Sequence, residues 1–201
     1  MDMYKRGYGM ENLKDFMKQM QLNSQLSLDD IPNLDLYMDQ VIQLFESTFE
    51  GLKRDEQEKV LTKTMINNYA KGKLFYPIEN KKYSKDHLML IAMIYQLKGA
   101  LSINDVKTTL YKLNKMVVED NFELAKLYES YVQLADESMK QLESEMKQLI
   151  DDVEHQSETL ASNDADYLQE LLLVASFVNM SNYYRRAAEK MVDRIATKND
   201  K

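Results

Sequence analysis

From Leu36 onward, apolar residues recur at helical spacing. Leu36, Met38, Val41, Ile42, Leu44, Phe45 and Phe49 line one face of an amphipathic helix, with Asp35 placed to cap its start. The charged run EGLKRDEQEK reads as a solvated connection. A second helix is predicted over Thr62–Lys71, with Gly72 as a left-handed stop and Pro77 preventing continuation. IENKKYS is too short and polar for a helix and suits a small hairpin or loop. Ser84 then caps KDHLMLIAMIYQLK, apolar on so much of its surface that burial is expected, and Gly99 ends it. Ser102 and Asp105 open INDVKTTLYKL in a capping-box-like arrangement. Residues 32 to about 115 thus hold a run of short helices with a turn-like insert.

The second half has a longer period. Ala125, Tyr128, Val132, Ala135, Met139, Leu142, Met146, Leu149 and Val153 alternate spacings of three and four, a heptad seam. QSETLASND breaks it, with Ser162 or Asn163 as the next cap. Val174, Phe177, Ser181, Tyr184, Ala188, Met191 and Ile195 give a second seam of the same period. Two long helices joined by a short polar loop should form an antiparallel hairpin. The expected fold class is all-α. The expected organisation is a polar N-terminal segment (1–31), poorly ordered at its start, a domain at 32–115 and an acidic helical hairpin at 116–201.

Composition narrows the chemistry. With five Gly and two Pro in 201 residues, a turn-rich all-β fold is disfavoured. Fourteen Met and no Trp suit irregular helix packing. The absence of Cys excludes disulfides, thiolate nucleophiles and cysteine zinc sites. The N-terminus lacks a signal-like apolar core, and the longest apolar run, near Leu171–Ala175, is too short to span a bilayer. The expectation is a soluble, cytoplasmic protein with no membrane partner.

Net charge is −7, yet LTKTMINNYAKGKLFYP (Leu61–Pro77) carries three lysines and no acid. From Leu61 to His87 the lysines are Lys63, Lys71, Lys73, Lys81, Lys82 and Lys85, against Glu79 and Asp86. Clustered lysines on a small element are the footprint of phosphate contact, though any such cluster alone is also an ordinary solvated face. The order of elements around it resembles the winged helix-turn-helix of the mercury-resistance-regulator (MerR-like) superfamily. In that family a threonine opens the recognition helix, aromatics close it, and a glycine–leucine step leads to a proline. Thr64, Tyr69, Gly72, Leu74 and Pro77 fill comparable places, Lys82 and Tyr83 stand where the wing ends, and LKGALSINDVK looks like the element that follows. Three features depart from the pattern. Asn67 and Asn68 replace the usual arginine–tyrosine pair, Lys73 lengthens the glycine–leucine step, and Ala100 and Leu101 separate Gly99 from Ser102. The chain is more similar still to an uncharacterised bacterial family, domain of unknown function number eighteen thirty-six, at LYMDQV, LTKTMINNY, KKYSKDHL and LSINDVK. The resemblance spans roughly Ile31–Leu113. It implies a DNA-binding fold and brings no known operator, ligand or reaction.

The expected function is DNA-binding transcriptional regulation without catalysis. Lys63, Thr64, Asn67, Asn68, Lys71, Lys73, Lys81, Lys82 and Lys85 are the candidate contacts to double-stranded DNA. An Asn can pair with adenine in the major groove, whereas Lys81 and Lys82 suit phosphates. A homodimer is expected through Tyr128, Val132, Met139, Leu142, Met146 and Leu149, since such regulators read paired half-sites. The alternative is a non-catalytic helical interaction module whose winged helix docks a protein. A Met- and Tyr-rich helical hairpin can also hold an unidentified small-molecule effector. No cofactor is expected. Asp151 and His155, one turn apart, are too few for a metal site and read as a solvated face, and His87 reads as a packing or capping residue.

Overall fold

The computed structural model describes residues 15–18, 20, 21, 24–158 and 164–199. The expected disorder at the chain's start and the cap at Ser162 or Asn163 lie outside the described residues. The fold is mostly helical: β1 (Leu36–Tyr37), α1 (Met38–Phe49), a 3-10 turn (Glu50–Leu52), α2 (Lys63–Lys71), β2 (Lys82–Tyr83), α3 (Lys85–Leu97), α4 (Ile103–Glu119), α5 (Leu124–Glu158) and α6 (Ala165–Asn199). Two compact units form. The larger comprises residues 24–134 and 185–201, the smaller residues 1–23 and 135–184.

The larger unit packs α1–α4 around a continuous core. Val41, Phe45 and Phe49 enter it from α1, and Leu88 to Ala92 enter from α3. Leu26 and Ile31, from the stretch read as polar, are also buried in it. The Tyr128 hydroxyl donates to the Leu26 carbonyl at 2.7 Å, anchoring that stretch to α5. Burial holds the Tyr128 hydroxyl well above the usual tyrosine range. The connection after α1 is tied back at Glu46, which pairs with Lys53 and accepts from the Val60 N–H at 3.2 Å.

Several local expectations change. Asp35 does not cap α1. Leu36 and Tyr37 form a strand first, and the Tyr37 N–H donates to the Gln40 side chain at 2.9 Å in the cap position. The helix opened by Ser102 runs on to Glu119. Asn121, at φ 52°, then turns the chain into α5.

In the smaller unit Met146, Ile150 and Val153 of α5 pack with Leu173 of α6, supported by Met17, Met20 and Phe177. Gln169 donates to the Ser157 hydroxyl at 2.8 Å, and that hydroxyl donates to the Glu154 carbonyl at 2.8 Å. The second seam holds in part: Phe177 and Ala188 pack against the cores, but other positions are offset. Leu173 and, in the larger unit, Val192 are buried, whereas Val174, Tyr184 and Met191 are exposed. The heptad pattern left two adjacent faces of α6 apolar, and packing selected one of them. No helix among the described residues is long and apolar enough to cross a membrane.

Candidate functional site

Helix α2 divides its residues by face. Thr62 Oγ1 caps its start by accepting from the Met65 N–H at 3.2 Å. Ile66 and Tyr69 are buried in the core, with Met65 half-buried beside them. Lys63, Thr64, Asn67, Asn68 and Lys71 are exposed, and their 3.6-residue spacing gathers them on the opposite face. Burial raises the Tyr69 hydroxyl pKa, and that hydroxyl has no hydrogen-bond partner among the described residues. Lys63 makes an ion pair with Asp39 at 2.8 Å, but both side chains are mostly exposed, so the pair contributes little.

The end of α2 is a Schellman turn shifted by one residue from the sequence expectation. The Leu74 N–H bonds the Tyr69 carbonyl and the Lys73 N–H bonds the Ala70 carbonyl, each at 3.0 Å. The left-handed residue is Lys73, at φ 58°, whereas Gly72 stays helical at φ −70°. Gly72 is required for space instead. A Cβ there would lie 2.7 Å from Leu74 Cδ1 and 3.1 Å from the Asn68 carbonyl oxygen.

The basic loop is a two-residue hairpin. Asn80 (φ 49°) and Lys81 (φ 60°) occupy its corners, and the Lys82 N–H donates to the Glu79 carbonyl at 2.8 Å. Its second strand pairs antiparallel with β1, Leu36 opposite Tyr83 and Tyr37 opposite Lys82. Lys82 Nζ lies 5.2 Å from the centre of the Tyr37 ring, so its stem is held while its charge remains at the surface. Lys73 and Lys81 are exposed, while Lys82 and Lys85 are half-buried.

His87 braces the base of this hairpin. It is only 3% exposed. Its Nδ1 accepts from the Ser84 N–H at 3.2 Å, and its Nε2 lies 3.2 Å from the Tyr76 carbonyl, an acceptor. This pairing fixes the neutral tautomer with the proton on Nε2. Burial pushes its pKa below the ordinary histidine value, which agrees with a neutral capping role. Burial likewise raises the neighbouring Asp86 carboxyl.

The candidate dimer residues have mixed surroundings. Tyr128 and Met146 are buried inside their respective units, and Val132, Met139, Leu142 and Leu149 are half-buried. Asp151 and His155 are exposed on α5, and no three acidic or histidine side chains converge on a metal position among the described residues.

Sequence reading missed the last turns of α4. Asn114 there donates to the Leu74 carbonyl at 2.9 Å and the Leu110 carbonyl at 3.0 Å, tying α4 to the segment that leaves α2. The expected helix stopped short of it because polar spacing fixes a helix's end weakly.

No curated protein and no solved structure matches the chain. A family model described as Domain of unknown function (DUF1836) matches residues 26–131, from the buried Leu26 through the first turns of α5. The chain therefore belongs to the DUF1836 family.

Proposed function

We propose that this protein is a non-catalytic, MerR-like regulator of transcription that binds double-stranded DNA. In this reading α1 and α2 are the helix-turn-helix, α2 enters the major groove, and the β2 hairpin is the wing. The observation that carries it is the face of α2 turned to solvent. Lys63, Thr64, Asn67, Asn68 and Lys71 are exposed on a helix that contains no acid, in a chain of net charge −7. The protein-docking alternative asks for an exposed apolar patch over Lys71–Lys85; the exposed residues of α2 other than Ala70 are polar, whereas Phe75–Ile78 beyond it border an apolar groove. Two copies reading paired half-sites complete the proposal, joined through α5 and α6 as an antiparallel hairpin. Light scattering that gives a monomer at micromolar concentration removes that last element.

Lysines and asparagines should fail differently. Lys81→Ala with Lys82→Ala should weaken binding to every DNA sequence alike. The slope of log affinity against log salt should flatten by about one for each phosphate that is no longer neutralised. Asn67→Ala or Asn68→Ala should cost roughly 1–3 kcal/mol on the preferred site with little change on random DNA. A lysine pair that leaves affinity and salt slope unchanged returns the patch to an ordinary solvated face and favours protein docking.

A further inference from the structure

A groove of about 660 Å³ lies between the segment leaving α2 and the outer face of α4. Its size falls within the range of small-molecule sites, roughly 300–1,000 Å³. Phe75, Tyr76, Pro77 and Ile78 line one side, Tyr111 and Val118 the other. Tyr111 is 50% exposed and Val118 59%, so two large apolar side chains of α4 face the opening without cover. Lys73 and Lys115 also line it, against a single acid, Glu119. Among the described residues neither lysine has a carboxylate within ion-pair distance. Lys115 Nζ sits 5.9 Å from the centre of the Tyr111 ring, so a cation and an aromatic face are presented side by side. Asn114 lines the same groove. Its amide nitrogen is committed to two carbonyls, while its Oδ1 is buried with no hydrogen-bond partner among the described residues. That oxygen is closed to solvent, so the cost of leaving it unpaired falls on the packing of α4 and offers the groove no contact.

We propose that this groove binds a small aromatic carboxylate. The ring covers Tyr111, Val118 and Ile78, and the carboxylate meets Lys115 and Lys73. Duplex DNA fits these features poorly, because its phosphates bring no apolar body to cover Tyr111 and Val118. Lys73 is shared with the candidate DNA face, so an occupied groove should also weaken DNA binding; that coupling alone rests on the function proposed above.

Hippurate, an aromatic carboxylate, tests the groove without DNA, using the full chain and amide NMR shifts. Saturable shifts should map to residues 70–78 and 111–119. Hippuramide, its neutral analogue, should bind about tenfold more weakly, and Lys73→Ala with Lys115→Ala should remove that preference. Val118→Glu, at an exposed position and checked by circular dichroism, should abolish hippurate binding. The proposal is overturned by an absence of saturable shifts in the millimolar range, by shifts that map elsewhere, or by equal binding of acid and amide. It is equally overturned if folded Val118→Glu binds hippurate like the wild type. DNA binding measured separately stands or falls independently of these results.

Discussion

The two units of this protein build helices into structure in different ways. In the larger unit α3 is buried from His87 through Ala92, six consecutive residues, because neighbours close over it on all sides. In the smaller unit the buried cluster among the described residues is Met146, Ile150, Val153 and Leu173. There Leu171, Val174, Val178, Tyr183 and Tyr184 remain exposed on α6. The larger unit surrounds α3 with a hairpin and other helices, so burial reaches every face of that helix. In the smaller unit α5 and α6, with Met17 and Met20 beside them, bury one narrow cluster and leave several apolar side chains of α6 exposed. Stability and a unique arrangement should therefore concentrate in the larger unit, and the smaller one should be the softer part.

The most severe test of that contrast compares core truncations. Phe45→Ala, at a fully buried position, should destabilise the larger unit by about 3–5 kcal/mol. Ile150→Ala, at the edge of the thinner cluster, should cost about 2 kcal/mol. Denaturant unfolding read by segment-resolved hydrogen exchange separates the two. Equal losses, or a smaller loss at Phe45, would break the contrast.

A smaller effect comes from His87. Its folded pKa is depressed, chiefly by burial, so the unfolded chain takes up the proton first as pH falls. The stability that depends on neutral His87 is complete above the unfolded pKa, about 6.5. It is lost as pH falls through the lower folded value. Its slope should reach up to about 1.4 kcal/mol per pH unit within that window. His87→Gln should flatten this part of the profile. Asp86 is shifted upward and contributes the opposite slope, at more acidic pH. If the His87→Gln profile keeps the wild-type slope, another group carries the pH dependence.

The smallest effects sharpen the reading of the turn after α2. Gly72→Ala should destabilise by about 1 kcal/mol, since its methyl meets the buried Leu74 side chain. Lys73→Gly should stabilise by about 0.5 kcal/mol, because glycine relieves the left-handed backbone at that position. Thermal melts of the two variants should move in opposite directions. A loss of stability in Lys73→Gly would mean that the lysine stem contributes more to packing than the strain it imposes.

Much of the fold was legible because its signals are local. Ser84 and Ser102 cap helices as their positions predict, and the polar IENKKYS segment is a two-residue hairpin. The basic α2 was readable from charge alone. The strand at Leu36–Tyr37 was not, because two residues carry no period, and their pairing depends on Lys82 and Tyr83 much later in the chain. Leu26 and Ile31 were hidden for the same reason: isolated apolar residues in a polar stretch announce nothing until a core is there to receive them.

The sequence by itself determined where most of the short helices begin, which of them would be buried, and that one small region opposes the charge of the whole. Caps, spacing and charge act between neighbours in the chain, within a few residues and a few ångströms. Only the tertiary structure decided which face of α6 would be covered, since Leu173 and Val174 are equally apolar and only packing distinguishes them. It also decided that Gly72 provides space while Lys73 takes the left-handed turn. And it alone set Asn114, Lys115 and Val118 against the segment leaving α2, because a groove is made by surfaces far apart in sequence.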